Sequence, residues 1–67
     1  MSIEVNVNDY VFAHGHRPRG RGYWAFFFKR HDDVANAFWH TGTYAEAKKA
    51  AVAEARRRNA PTVFVGS

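Results

Sequence analysis

The sequence predicts an α+β fold, in which one helix packs on one face of a three- to four-stranded sheet, with the elements in the order β-β-β-α-β. Two observations predict it: strand-like segments lie at both ends and in the middle of the chain, and one alanine-rich segment has helical spacing. A chain of 67 residues forms one small domain, residues 1–67. At this size folding buries only about 60% of the surface of the unfolded chain, so a deep catalytic pocket is not expected.

The first two strands are expected at residues 3–7 and 23–30. "IEVNV" alternates apolar and polar residues, and "YWAFFFKR" is rich in the aromatic side chains that strands favour. The alternation changes phase before Tyr10, so we expect a bulge or bend at Asn8-Asp9. The segment "HGHRPRGRG", residues 14–22, predicts a wide hairpin loop that carries three arginines.

A third strand follows a short polar turn, which we place at His31–Asp33. Phe38 and Trp39 mark this strand, which ends at Gly42. A last short strand, "TVFV", is expected at residues 62–65 because the proline before it ends the preceding helix. The sequence leaves open whether the last strand pairs beside the first strand or the third.

The helix is expected at residues 44–58, where nearly all residues are strong helix formers. It begins with a capping box, in which the Thr43 hydroxyl accepts a hydrogen bond from the Glu46 amide and the Glu46 carboxylate accepts one from the Thr43 amide. Asn59 can adopt the left-handed conformation that ends a helix.

The two faces of the predicted sheet differ in what covers them. The helix brings small side chains to one face, namely Ala47, Ala50, Ala51 and Ala55, beside Tyr44. Even positions of the second strand supply the bulk of the core and odd positions point the other way. These are Trp24, Phe26 and Phe28, and then Tyr23, Ala25, Phe27 and Lys29. One helix covers one face, so Tyr23 and Phe27 are expected on an exposed apolar surface, which usually marks a contact site.

The composition narrows the function classes. There is no cysteine, which excludes disulfides and thiolate zinc sites. A net charge of +4 and a pI near 10 favour contact with nucleic acid or another acidic surface. The longest apolar run, "YWAFFF", is too short to cross a bilayer and the N-terminus does not resemble a signal peptide, so we expect a cytoplasmic protein without membrane contact.

Clusters that resemble chemical sites have structural interpretations. His14 and His16 have no third ligand at recognisable spacing, so neither a metal nor another cofactor is expected. Asp32 and Asp33 are adjacent in a turn and point apart, and "GRG" at residues 20–22 lacks the context of a phosphate-binding loop. We therefore do not expect an enzyme.

Three hypotheses for the exposed face remain open. In the first it binds nucleic acid, because basic groups offset phosphate charge and flat rings meet sugars or stack on bases. In the second it is a dimer interface, in which two sheets pack face to face or share an edge. In the third the first strand or the loop folds over it and nothing binds.

Two segments, "RPRGRGYWAFFFKR" and "FWHTGTYAEAKKAAVAEARRR", together resemble the AP2-type DNA-binding domain, also found beside phage homing endonucleases. They are more loosely similar to the N-terminal arm-binding domains of phage integrases. The likeness covers residues 17–58. It is carried by the Gly-Thr-aromatic turn and alanine-rich helix at residues 42–53, by "WA" at residues 24–25, and by "RPRG" at residues 17–20. Arg19 stands where the family usually has tryptophan. Phe27 stands where the family usually has an acidic residue.

The resemblance implies a three-stranded antiparallel sheet backed by one helix, with the opposite face in the DNA major groove. The residues it implies as DNA contacts are Arg17, Arg19, Arg21, Lys29 and Trp39. The basic groups would contact phosphate or, for arginine, guanine, and the tryptophan would press on the sugar and backbone. Two alternatives stay open, a solvated loop for the arginines and core packing for Trp39, whose strand register is not fixed by sequence.

The sequence thus predicts non-enzymatic binding of DNA, as a duplex, by the basic hairpin loop and the sheet face opposite the helix. The alternative is a small accessory protein. Its aromatic face, with Tyr23 and Phe27, would then form a homodimer or bind another protein.

Overall fold

The fold is given by a computed structural model that describes residues 2–30 and 33–66. The elements are β1 (Glu4–Asn6), α1 (Asn8–His14), β2 (Arg21–Phe27), β3 (Phe38–Thr43), α2 (Tyr44–Arg57) and β4 (Thr62–Val65), with a 3₁₀ turn at Val34–Asn36. The α+β class is confirmed. The turn expected at His31–Asp33 falls largely outside the described residues.

The four strands form one mixed sheet in the order β1-β4-β2-β3. β1 and β4 are parallel, whereas β2 is antiparallel to both β3 and β4. The pairing of the last strand, which the sequence left open, is therefore with the first and second strands. With β1 beyond it, β4 makes the sheet two strands wider on that side than the hairpin of β2 and β3 alone.

Helix α2 packs on one face of this sheet, as the alanine spacing predicts. Both hydrogen bonds of the capping box at Thr43 and Glu46 are present, and Asn59 has a φ of 57°, in the left-handed region. The fully buried side chains join the two layers: Ala47, Ala51 and Ala55 from α2, and Phe26, Val63 and Val65 from the sheet. Small helix residues let the helix lie close to the large sheet residues, so the core is compact on this side.

The bulge or bend predicted at Asn8-Asp9 is wrong, because a second helix, α1, begins there. The Asn6 side chain accepts a hydrogen bond from the Asn8 amide at 3.0 Å, and Gly15 closes the helix with a φ of 75°. Val7 and Tyr10 pack on the core. Their spacing, three residues apart, is helical, and this signal was available in the sequence.

The predicted hairpin loop is also wrong, since the arginine-rich segment joins a helix to a strand. Pro18 is buried, and the Gly20 carbonyl accepts a hydrogen bond from the Tyr44 amide at 2.8 Å. The segment is thus anchored to the start of α2. Within residues 2–30 and 33–66, neither helix has the length and apolar content needed to cross a membrane.

Candidate nucleic-acid interface

The face of the sheet opposite α2 carries the side chains that alternate with the core residues. Strand pairing places Tyr23 beside Thr41, Ala25 beside Trp39, and Phe27 beside Phe64. Arg21 and Thr43 form the pair at one end, and Glu4 and Asn6 lie on the edge strand β1. We call this surface the helix-free face because α2 does not cover it; two side chains of α1 border it at the Tyr23 end. It is apolar in the centre and polar or charged at its margins.

Tyr23 and Trp39 form the most exposed aromatic pair of this face. Their ring centroids lie 5.0 Å apart with the planes inclined by 39°. Tyr23 is 70% exposed and Trp39 is 46% exposed. The register of β3 places Trp39 outside the core, so core packing, the structural alternative for this residue, is excluded. Both rings have area available to a flat ligand.

Arg19 and Arg21 lie beside this aromatic pair. Together with Tyr23 and Trp39 they line a groove of about 360 Å³. Tyr10 and His14 of α1 line the same groove, as does Gly66 after β4. Within residues 2–30 and 33–66, neither arginine forms an ion pair. Two guanidinium groups are therefore available for an anionic ligand next to the rings.

The other two predicted basic contacts lie elsewhere. Arg17 is close enough to the Tyr44 side chain to act on it: burial raises the pKa of the Tyr44 hydroxyl, and the positive charge of Arg17 partly opposes this effect. Lys29 follows the end of β2, where the alternation of the strand no longer holds. It lines a separate cavity of about 490 Å³ with Phe28 and Arg58.

Phe27 is half-buried, in contrast to Tyr23. A Cβ atom added to Gly66 would lie 3.0 Å from the Phe27 ring and 3.3 Å from the Ala25 Cβ. The ring therefore lies against the backbone of Gly66, and a side chain at position 66 would require the Phe27 ring to shift by a few tenths of an ångström. Phe27 covers the middle of the helix-free face and is not a protruding contact.

Arg30 is a basic group of this face that the sequence analysis missed. Its guanidinium carbon lies 5.2 Å from the centroid of the Phe64 ring, which β4 presents beside Phe27. The chain bends after β2, and this bend brings Arg30 to the face in place of Lys29. Strand periodicity contains no signal for this, because it assumes that the strand continues.

The two glutamates of α2, Glu46 and Glu54, already accept hydrogen bonds from neighbouring side chains. Hydrogen bonds from Arg57 and Arg58 lower the pKa of Glu54 to about 2. Hydrogen bonds from Thr43 lower the pKa of Glu46, and the charge of Arg21 lowers it further. Glu46 thus partly balances Arg21 at one margin of the helix-free face.

The two histidines that could suggest a metal site pack on an aromatic ring. His14 stacks on Tyr10 with centroids 4.2 Å apart, and His16 meets the edge of the same ring at 5.9 Å. In the part of the chain that the structure describes, no three His, Cys, Asp or Glu residues group as metal ligands would.

Comparisons with known proteins place no further constraint on this surface: no protein family, no curated protein and no solved structure matches the chain.

Proposed function

We propose that this protein is a non-enzymatic DNA-binding protein that acts in the cytoplasm and contacts DNA through the helix-free face. The observation that carries the proposal is the placement of Arg19 and Arg21 beside the exposed pair Tyr23 and Trp39. Arginine offsets phosphate charge, and exposed rings stack on bases or press on sugars. The two kinds of contact occur together within one groove.

The distribution of charge supports the same assignment. The net charge is +4, and Glu54 is neutralised by two arginines on the helix side of the sheet. On the helix-free face the basic groups stand beside aromatic rings, and Glu46 partly balances Arg21 at the margin. A surface of this kind attracts a polyanion and then holds it by short-range contacts.

The resemblance to the AP2-type domain supports the choice of DNA. Its implied DNA-contacting surface is the sheet face opposite the helix, and Arg19, Arg21 and Trp39 lie on or beside that face here. Membership of this family is itself part of the proposal. The chain differs from the three-stranded fold with one helix that the resemblance implies, because α1 precedes the arginine-rich segment and β4 pairs with the side of β2 that β3 leaves free.

The experiment is a binding titration with a fluorescein-labelled 20-nucleotide DNA, offered as a single strand and as a hairpin duplex, at several salt concentrations. The parent protein should bind at least one form with an affinity that falls steeply with salt. The double variant Arg19→Ala/Arg21→Ala should bind more weakly. It should also lower the slope of log K against log salt by about 2, because each phosphate contact contributes about 1.

The matched control is Lys48→Ala/Lys49→Ala, which removes the same charge from the exposed side of α2. It should leave the salt slope close to that of the parent. Equal losses in the two double variants would mean that only net charge matters, and this would contradict the proposal. Absence of binding to either form of DNA would refute it outright.

A second candidate function rests on the apolar centre of the helix-free face, which Ala25, Phe27 and Gly66 form. Such a surface also suits a second copy of the chain or another protein. Under this alternative, sedimentation should reveal a dimer that salt barely affects and that is lost in a Tyr23→Ser/Trp39→Ser variant. A protein that stays monomeric and binds DNA would exclude the homodimer.

A further inference from the structure

We infer that the helix-free face takes single-stranded nucleic acid, laid along β2 from Arg21 to Arg30. This inference rests on the proposed function and specifies its ligand. It differs from the duplex binding that the sequence predicts, and it adds Arg30 and Phe64 to the site. Three features of the face carry it: its width, its chemistry and the position of its charges.

The width of the face at its Phe27 end argues against insertion of the whole face into a duplex groove. Four strands about 4.8 Å apart span about 14 Å between the outer strand axes, before their side chains are counted. The major groove of B-DNA is about 12 Å wide and admits a helix or a two-stranded ribbon. β4 and β1 extend the sheet beyond the β2-β3 hairpin at Phe26 and Phe27, so this end is wider than the groove, whereas the end with Tyr23 and Trp39 is two strands wide.

The chemistry of the face matches the flat faces of bases better than their edges. Base edges in a groove are read by groups such as arginine, asparagine and glutamine. The centre of this face carries apolar and aromatic groups instead: Tyr23, Ala25, Phe27, Trp39, Phe64 and Gly66. In a duplex the flat faces of the bases are covered by their neighbours, whereas an unpaired strand can offer them to protein rings.

The aromatic groups form a track along β2. Tyr23 and Trp39 stand at one end, Phe27 lies over the small residues Ala25 and Gly66, and Phe64 adjoins Phe27 at the other end. Tyr23 and Phe27 are four residues apart, or about 13 Å along a strand. Bases that lie flat on these rings are not stacked on one another, so this length holds fewer than the about four nucleotides of a strand stacked at about 3.4 Å each.

Basic groups stand at both ends of this track. Arg19 and Arg21 line the groove beside Tyr23, and the Arg30 guanidinium lies over Phe64. Among the described residues of the face itself, Glu4 on the edge strand is the acidic one. A backbone that follows β2 would therefore meet positive charge where it enters and where it leaves, with bases on the rings between.

The experiment compares labelled oligothymidylate of 12 nucleotides with a hairpin duplex of 12 base pairs at one fixed salt concentration. Thymidylate is used because it does not pair with itself. We expect the single strand to bind at least about tenfold more tightly, since each stacked base contributes several-fold to affinity. Arg30→Ala should weaken single-strand binding several-fold.

Lys29→Ala is the matched control. It removes the same charge from the adjacent residue, but Lys29 lies in the separate cavity with Phe28 and Arg58. Its affinity should stay within about twofold of the parent, as for a charge that touches no phosphate. Thermal melting of both variants establishes that each is folded.

The other possible results separate a failure of this inference from a failure of the proposed function. Equal or tighter binding of the duplex would overturn this inference and leave the proposed function intact. Equal effects of Arg30→Ala and Lys29→Ala would overturn the path to Arg30. Failure of both nucleic acids to bind would refute the proposed function itself, and a dimer that buries Tyr23 would show that a second copy occupies the face.

Discussion

The two faces of the sheet are built from the same strands, but the face under α2 is buried and the helix-free face is exposed. On the face under α2, Trp24 and Phe26 are buried and the Trp24 indole nitrogen donates to the Gly42 carbonyl at 3.1 Å. On the helix-free face, their neighbour Tyr23 is 70% exposed and packs mainly on another exposed ring. Adjacent residues of β2 therefore lie alternately in the buried core and on the exposed helix-free face.

The contrast teaches where the stability of such a small domain lies. Three alanines of α2 and the large residues of β2 and β4 make the whole fully buried core. The rings of the other face remove less area from water, so they contribute less to folding and remain available for a ligand. The following predictions test this division, and each compares a residue with a matched control residue nearby.

The largest expected effect is on the core. Phe26→Ala should destabilise the protein by about 3–5 kcal/mol, a loss large enough to unfold much of a domain this small. Tyr23→Ala, three residues away on the other face, should change the free energy of unfolding by no more than about 0.5 kcal/mol. Chemical denaturation of both variants provides the measurement. Similar losses would mean that the helix-free face is part of the folding core.

The close approach of α2 gives the next effect. Ala51 is fully buried against the sheet, whereas Ala53 is exposed on the same helix. Ala51→Leu should force the layers apart and cost about 1–3 kcal/mol. Ala53→Leu, with the same added volume, should be nearly neutral in the same denaturation experiment. A tolerated leucine at position 51 would contradict the tight packing of the two layers.

The capping box should contribute less than the core. Thr43→Ala removes the hydroxyl that accepts from the Glu46 amide at 3.2 Å, and should cost about 1 kcal/mol. Thr41, two residues earlier on β3, is exposed and serves as the control. Thr41→Ala should have a smaller effect on the melting temperature. The reverse order would show that α2 does not depend on this cap.

The smallest effect concerns pH. Since the pKa of Glu54 in the folded protein, about 2, lies below its ordinary value of 4.5, its carboxylate stabilises the fold above pH 4.5. That contribution is lost as the pH falls from about 4.5 to about 2. In a carboxyl NMR titration, Arg57→Ala should raise the pKa of Glu54, and Arg56→Ala should leave it unchanged. An unchanged value in both variants would refute the Arg57 contact.

Local chemistry in the sequence predicts much of this fold. The capping box, the alanine spacing of α2 and the alternation of Tyr23 and Phe26 each depend on near neighbours, and each agrees with the structure. The first helix was predictable too, from the spacing of Val7 and Tyr10. It was missed because the two-residue alternation that is typical of a strand can also be fitted to a segment of only seven residues.

The remaining features depend on long-range pairing. The central place of β4 follows from contacts between the two ends of the chain, which no local pattern encodes. The same pairing brings Gly66 under Phe27 and Phe64 within reach of Arg30. The half of the candidate site that contains Arg19, Arg21 and Trp39 was therefore predicted from sequence. The half around Arg30 and Phe64 required the structure.

The two tryptophans provide the most direct test of the central claim that DNA binds the helix-free face, because Trp39 is 46% exposed there and Trp24 is only 6% exposed. A ¹H–¹⁵N spectrum contains one indole signal from Trp39, on the exposed face, and one from Trp24, held by Gly42. Trp24 lines the same groove from its buried side, so on addition of oligothymidylate the account predicts that the Trp39 signal shifts more than the Trp24 signal. A shift confined to Trp24, or a Trp39 signal unmoved when DNA is bound, would contradict it.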